Sequence, residues 1–209
     1  NIEMAQEANG IIACLYEYYA AYQPEYADKL AYIPIPIDLS INPFHPIKST
    51  PEVVKFFIGI QQHRTAIKGT DILLDVLREI HDKYPRESHI QKVVSVPFDE
   101  YNKLLVDCHI LLDQLYSYTP ATNALAARAR GIIAVSGAEP EFYNFISEQK
   151  LRPIINVLPD RNDIFKQLEN LIIHRDQLPK LSTESRQFVE KYHDHVKVAR
   201  QYLEFWEKH

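Results

Sequence analysis

The sequence predicts an α/β protein in which a parallel sheet has helices on both faces. From residue 53 onward, short apolar runs alternate with longer segments whose apolar residues recur every three to four positions. Short apolar runs are typical of buried strands, and the longer spacing is typical of amphipathic helices. Strands that alternate with helices of this length form right-handed crossover units, and such units build a parallel sheet.

Length and composition fit one large or two small globular domains. The chain has 209 residues and a formal net charge of −5, so there is no general electrostatic reason to expect nucleic acid as a partner. Its two cysteines are too few for a disulfide framework and suit a reducing compartment, so we expect a cytoplasmic protein. No apolar run approaches the roughly 20 residues that a membrane span requires.

The segment 56–84 shows the alternation most clearly. Residues 56–60 form an apolar run of aromatic and branched residues, as expected for a buried strand. The helix predicted over 70–84 has Thr70 as its N-cap and Pro85 as its stop. Its apolar face comprises Leu73, Val76, Leu77, Ile80 and Tyr84.

A basic loop joins this strand to this helix. It contains Arg64 and Lys68, and Gly69 directly precedes the helix. Two cations beside the unpaired N–H groups of a helix start, where the helix dipole is positive, suit an anion such as phosphate. An ordinary solvated loop with two surface charges is the alternative.

The rest of the main domain repeats this pattern. Further strands are predicted over 92–96, 109–113, 132–135 and 153–157. Further helices are predicted over 97–107, 120–130, 141–149 and 160–174, with one long final helix over 182–207.

A smaller part of the chain precedes residue 53. A helix is predicted to end at Asn9-Gly10, and the apolar run 11–15 fits a short buried strand. Alternating prolines in 29–38 exclude a helix and a central strand, which leaves an extended edge or a linker. The Pro-, Ser- and Asn-rich stretch 38–52 is interpreted as the joint to the main domain.

The loop over residues 113–123 is unusually polar for the end of a strand. Ligands of parallel sheets bind at the carboxyl ends of the strands. Pro120, at the predicted start of the next helix, leaves the N–H groups of that first turn available to an anion. The hydrogen-bond donors in this loop are Ser117, Tyr118, Thr119 and Asn123. Thr119 is also a candidate helix cap, and capping is compatible with ligand contact.

A second candidate loop, 136–141, follows the strand predicted over 132–135. Its acidic residues, Glu139 and Glu141, can accept hydrogen bonds from sugar or ribose hydroxyls. The alternative is purely structural, because an acidic residue in the first turn of a helix is stabilised by the helix dipole alone.

Several sequence signatures are missing. The chain has no Gly-rich P-loop and no G-x-G-x-x-G fingerprint, which argues against a nucleotide triphosphatase and an ordinary dehydrogenase. No Asp-x-Asp pair is present to hold a divalent ion on a diphosphate. His193 and His195 point to different faces of the predicted final helix, and no cysteine lies near a histidine at zinc spacing. We therefore expect no metal site.

Taken in order, several segments resemble the retaining glycosyltransferases of the two-domain GT-B fold, family 4 in particular. The matching segments are the entry run 28–38, the basic segment Arg64-x-x-x-Lys68-Gly69-Thr-Asp, the stretch 93–114, the helix segment 123–135 and Gly137-x-x-Pro140-Glu141. They cover nearly the whole chain. The resemblance implies a Rossmann-like domain, the C-terminal, donor-binding half of a GT-B fold.

The resemblance also implies roles for individual residues. In the family the basic pair holds the donor diphosphate, which assigns that role to Arg64 and Lys68, with Gly69 and Thr119 beside them. Charge stabilisation by this pair would let the nucleoside diphosphate depart without a metal. Contacts to the donor sugar and nucleoside are expected from Ser117, Tyr118, Asn123, Glu139 and Glu141. No residue is assigned as catalytic.

One departure from the family pattern affects the sugar contacts. The family carries two glutamates, eight positions apart, that touch the donor sugar and the ribose. The corresponding positions here are Tyr118 and Ala126, which carry no carboxylate. Glu139 or Glu141 is therefore the candidate substitute.

The resemblance divides the chain into four parts. Residues 1–28 would be the end of an N-terminal acceptor domain that lies upstream, and 29–52 the interdomain linker. Residues 53–181 would bind the nucleotide sugar, and the helix in 182–209 would pack back toward the N-terminal domain. A fragment of this kind is expected to be inactive alone.

The expected function is donor binding for transfer of a hexose from a UDP- or GDP-linked sugar, with no further cofactor. The acceptor would be a glycan or a lipid-linked molecule, reached through the upstream domain, and peripheral membrane association of the full-length protein is a related expectation. A GT-B sugar-nucleotide epimerase and a non-catalytic nucleotide-binding or interaction module are the alternatives.

Overall fold

The computed structural model describes residues 2–209 and contains two parallel β-sheets within that range. The smaller sheet pairs β1 (Ile11–Ala13) with β2 (Leu30–Tyr32). The larger sheet has the strand order β4-β3-β5-β6-β7. Its strands are β3 (Val54–Ile60), β4 (Ser88–Val94), β5 (Ile110–Leu112), β6 (Ile133–Ser136) and β7 (Ile155–Asn156). All pairings are parallel, which confirms the predicted sheet type.

Helices connect these strands and follow the last of them. They are α1 (Ile2–Glu7), α2 (Tyr16–Tyr26), α3 (Thr65–Lys68), α4 (Thr70–Lys83), α5 (Phe98–Leu105), α6 (Thr122–Ala129), α7 (Pro140–Phe145), α8 (Arg161–Ile173), α9 (Leu178–Tyr192) and α10 (His195–Trp206). From β3 to α8, every strand and helix predicted from the sequence is present. The basic loop contains α3 in addition, because its residues form one further helical turn.

Both faces of the larger sheet are covered, because successive residues of a strand point to opposite sides. In β3, Phe56 and Ile58 pack in a core with α4 and α8. Phe57, between them, packs in a second core with α5 and α6. All three side chains are fully buried, and burial of each contributes about 1.5–3 kcal/mol. The layered arrangement therefore follows from the alternation within the strand itself.

The C-terminal region differs from the prediction. One helix over 182–207 is wrong, because α9 ends at Tyr192 and α10 begins at His195. Asp194 starts the new helix, since its side chain accepts hydrogen bonds from the N–H groups of Val196 and Lys197. His193 is buried at the break.

The break is joined to the segment that follows β2. Ile37 N–H donates to the carbonyl of His193 at 2.8 Å, and His195 N–H donates to the carbonyl of Ile37 at 3.2 Å. The predicted final helix thus consists of two helices, with the chain around Ile37 hydrogen-bonded between them.

Residues 11–32 form a strand–helix–strand unit. The stretch predicted as an extended edge or linker begins with β2, which pairs with β1, and Pro34 and Pro36 follow once that pairing has ended. The predicted boundary at 28/29 falls inside this unit, between α2 and β2. No helix within residues 2–209 is long and apolar enough to cross a membrane.

Candidate functional site

A cleft of about 830 Å³ lies at the carboxyl ends of β3 and β4, beside α5 and α6. Its lining includes Asn42, Gly59, Ile60, Lys68, Val93, Ser95, Phe98, Tyr101, Asn102, Thr122, Asn123, Ala126 and Arg130. The chain runs outward from β3 to β4 and then returns to β5 on the other side of β3. Strand order reverses at this point, and α/β sheets commonly bind ligands there.

A chain of hydrogen bonds fixes one wall of the cleft. Lys68 Nζ lies 3.4 Å from Asp113 Oδ1, and Asn123 Nδ2 donates to the same oxygen at 3.0 Å. Tyr101 Oη in turn donates to Asn123 Oδ1 at 2.9 Å. Burial raises the pKa of Tyr101, so its hydroxyl stays protonated as a donor. The ammonium group of Lys68 is therefore held at the cleft by a buried carboxylate that follows β5.

Gly69 makes the turn that places Lys68. Its φ of +66° is left-handed, and it ends α3 and precedes α4 directly. Gly69, rather than Thr70, therefore occupies the N-cap position, and Thr70 is the first residue of α4. A Cβ on Gly69 would lie 2.7 Å from Leu115 Cδ1, so the site also requires a residue without a side chain.

The start of α6 also differs from the prediction. The helix begins at Thr122 rather than at Pro120, and its N-cap residue, Ala121, makes no side-chain capping bond. Thr119 does not cap this helix, because its Oγ1 accepts a hydrogen bond from Tyr16 N–H at 3.1 Å. An uncapped helix start leaves N–H groups available to an anion. These groups belong to residues that line the cleft beside Lys68.

The other predicted residues lie in different surroundings. Arg64 is exposed at the end of the turn Gln62–Arg64 and does not line the cleft. Gly69 and Thr119 are buried and do not line the cleft. Glu141 is exposed in the first turn of α7.

Ser117, Tyr118 and Glu139 lie together in the loops that follow β5 and β6. Ser117 Oγ donates to the carbonyl of Gly137 at 3.2 Å, and Glu139 N–H donates to the carbonyl of Tyr118 at 3.2 Å. A Cβ on Gly137 would lie 2.2 Å from the carbonyl oxygen of Ser117, so only glycine permits this approach. The structure therefore groups the predicted residues into the cleft, with Lys68 and Asn123, and this neighbouring pair of loops.

Arg130 also lines the cleft, although no sequence motif pointed to it. Its Nε donates to Asn42 Oδ1 at 3.1 Å, and its Nη1 donates to Asn102 Oδ1 at 2.8 Å. Burial lowers the pKa of Arg130 from its ordinary value. The available signal was its spacing, because Arg130 follows Ala126 by four residues and residues spaced by four share a helix face.

No protein-family model matches this chain, and no curated protein matches it by sequence. Solved structures do match it. HepE from Anabaena, solved with UDP and glucose, superposes with a TM-score of 0.72 at 13% identity, over 99% of this chain and 65% of that one. The fold is Rossmann-like and matches GT-B glycosyltransferase structures.

Two further structures support the same fold. TarM from S. aureus, in a complex containing UDP, matches with a TM-score of 0.72 at 14% identity, over 98% of this chain and 45% of that one. Sucrose-phosphate synthase from Thermosynechococcus elongatus matches with a TM-score of 0.70 at 14% identity, over 99% of this chain and 59% of that one. The chain thus spans less than two thirds of the length of each of these proteins.

Proposed function

We propose that this chain is the nucleotide-sugar-binding part of a glycosyltransferase. One observation carries the proposal: Lys68 and the uncapped start of α6 line the same cleft. This cleft lies where the strand order of the sheet reverses. An ammonium group and free backbone N–H groups together form an anion site suited to a diphosphate. The solved complexes of HepE and TarM contain UDP, which is consistent with a ligand of this class.

Lys68 and the first turn of α6 would hold the diphosphate. The bond to Asp113 keeps the Lys68 ammonium in place before any ligand arrives. Arg64, one helical turn earlier in the chain, is exposed and would supply a second positive charge. These groups would stabilise the charge that develops on the leaving diphosphate without a metal ion.

The loops that follow β5 and β6 would contact the sugar or the nucleoside of the donor. Ser117 and Tyr118 supply hydroxyl groups, and the carboxylate of Glu139 is held by Asn156 Nδ2 at 3.3 Å. Glu141 is exposed nearby on α7. We propose transfer of a hexose with retention to an acceptor bound by an upstream domain.

A thermal-shift titration with UDP, GDP and ADP tests the proposal. A ligand at a hundred times its dissociation constant stabilises the native state by about 2.7 kcal/mol. For a chain of this length, that corresponds to a rise in melting temperature of roughly 5–10 °C. We expect this rise with one of the three nucleotides.

Three variants locate the binding site in the same assay. The shift should disappear in Lys68→Ala and diminish in Arg64→Ala. Lys55→Ala is the matched control, because Lys55 is exposed near the opposite, amino end of β3 and should leave the shift unchanged. A flat response of the unaltered chain to all three nucleotides would contradict the proposal.

A non-catalytic nucleotide-binding module is the second candidate. The lining of the cleft, as described within residues 2–209, contains no carboxylate that could act as an acid or a base. The full-length protein should separate the two candidates. Transfer of sugar to an acceptor supports an enzyme, whereas nucleotide binding without transfer or donor hydrolysis supports a module.

A further inference from the structure

The cleft has an unusual charge composition. The chain has 28 acidic and 23 basic residues, yet among the residues described as lining the cleft there is no Asp or Glu. Its basic lining residues are Lys68 and Arg130. A concave surface with cations and no anions attracts negatively charged ligands.

The two cations are held in different ways. Lys68 is paired with Asp113, which offsets part of its charge. Arg130 is bonded to the amide oxygens of Asn42 and Asn102, which are neutral acceptors. Within residues 2–209, no salt bridge includes Arg130. The guanidinium group therefore keeps its full charge.

The two amide oxygens also orient the guanidinium group. They accept from Nε and Nη1, and Nη2 makes no hydrogen bond to any other residue of the described chain. A fixed guanidinium with a free edge can hold an oxyanion through paired N–H donors. Arg130 is thus positioned in advance for a carboxylate or a phosphate.

Arg130 and Lys68 are associated with opposite ends of α6. Lys68 shares Asp113 with Asn123, which lies in the first turn of α6, whereas Arg130 directly follows the last residue of α6. At 1.5 Å per residue, the backbones of Asn123 and Arg130 are separated by about 10 Å along the helix axis. Ala126 lies between them on the cleft wall, and its small side chain leaves room for a ligand.

We infer that the ligand of this cleft carries a second anionic group, separate from its diphosphate, and that Arg130 binds it. The inference rests on the proposed function, since the diphosphate is assigned to Lys68 and the start of α6. The second group is an oxyanion, either the carboxylate of an acidic sugar or a phosphate on the ribose. Arg130 would then determine specificity between acidic and neutral donors.

Two pairs of ligands, compared by isothermal titration calorimetry on this chain, test the inference. UDP-glucuronate against UDP-glucose tests a sugar carboxylate, and uridine 3′-phosphate-5′-diphosphate against UDP tests a ribose phosphate. The guanosine counterparts replace them if guanine is the preferred base. In one of the two pairs, we expect the acidic ligand to bind at least roughly tenfold more tightly than the neutral one. One charge-assisted hydrogen-bonded contact provides a difference of this size.

The variants distinguish binding from a merely structural role. In Arg130→Gln, the ratio of affinities within that pair should fall to about one, while binding of the neutral member persists. Arg130→Lys should retain only part of the preference, because lysine keeps the positive charge but lacks the paired N–H donors of the guanidinium group. Arg86→Gln, at an exposed position on the turn between α4 and β4, is the control and should leave the ratio unchanged.

Each contrary outcome has a separate meaning. Equal affinities within both pairs in the unaltered chain, or a preference that survives Arg130→Gln, would overturn the inference and leave the proposed function intact. Failure of all four ligands and their guanosine counterparts to bind would overturn both. If Arg130→Gln does not fold, Arg130→Lys decides the role of Arg130, and an undiminished preference in that variant would likewise overturn the inference.

Discussion

Arg128 offers the sharpest test of the energetics of this fold, because it is a buried cation without an acidic partner within residues 2–209. Its side chain lies in α6 and is 1% exposed. Nε donates to the carbonyl of Ala124 at 3.3 Å, whereas Nη1 has no hydrogen-bond partner among the described residues. The guanidinium carbon lies 5.1 Å from the centre of the Phe188 ring. We predict that Arg128→Met stabilises the protein.

The magnitude follows from the burial of the charge. Burial lowers the pKa of Arg128 from 12.5 to about 10, so the unfolded chain holds this proton more tightly than the folded chain does. At 1.36 kcal/mol per pH unit, the folded state is disfavoured by about 3 kcal/mol at neutral pH. The substitution also loses the cation–π contact with Phe188, which offsets about 1–2 kcal/mol of this gain in stability. The net expectation is a gain of about 1–2 kcal/mol, since Met fills a similar elongated space.

Urea unfolding at pH 7, followed by circular dichroism, measures this gain. Arg186→Met is the matched control, because Arg186 is a largely buried arginine that has its partners. Its Nη1 donates to the carbonyls of Asn42 and Ala129 at 2.9 and 2.7 Å, and its Nε donates to Glu190 at 2.7 Å. We expect the control to lose about 2 kcal/mol or more, as buried acceptors are left unpaired. An unchanged or lowered free energy of unfolding in Arg128→Met would refute the reasoning.

Three further predictions concern stability. Gly137→Ala should lower the free energy of unfolding by about 2 kcal/mol in urea titrations, because the new Cβ would lie 2.2 Å from the backbone oxygen of Ser117. An unchanged urea midpoint would contradict this close approach. Burial lowers the pKa of His193 to about 3, so only the unfolded chain takes up a proton as pH falls below 6.5. Stability should therefore fall by about 2 kcal/mol from pH 7 to pH 5, and a His193→Gln variant should lose much of that dependence. Glu148→Gln should cost about 2–3 kcal/mol at pH 7, because Oε2 of the buried carboxylate accepts hydrogen bonds from Lys191 Nζ and Tyr192 Oη. An amide nitrogen in that place cannot accept them, and equal midpoints would refute this.

The sequence predicted the repeating layers well because the signals there are local. The apolar run of β3 and the helical spacing of α4 each lie within one short segment, and both elements are present. The break between α9 and α10 was missed because apolar residues keep helical spacing on both sides of it. Asp194 was the available signal, since Asp is a preferred N-cap residue.

A residue of the candidate site could be placed from the sequence only where the topology of the sheet alone decides its position. Lys68 and Asn123 follow strands of one parallel sheet, so both reach its carboxyl edge. Arg130 acquires its place from Asn42, which is 88 residues away in the sequence. Thr119 likewise engages Tyr16, 103 residues away, instead of capping the adjacent helix. Contacts across such separations leave no periodic trace in the sequence.

The position of α10 has a consequence for the order in which the chain assembles. Its Phe205 packs against Gly10, near the opposite end of the chain, so this contact closes a very long loop. The larger sheet instead joins β3 to β4 and β5 to β6, which are neighbours in sequence and close at lower entropic cost. During synthesis, α10 leaves the ribosome after every other element described. Gly10, which directly precedes β1, therefore cannot make this contact until translation has passed the end of α10.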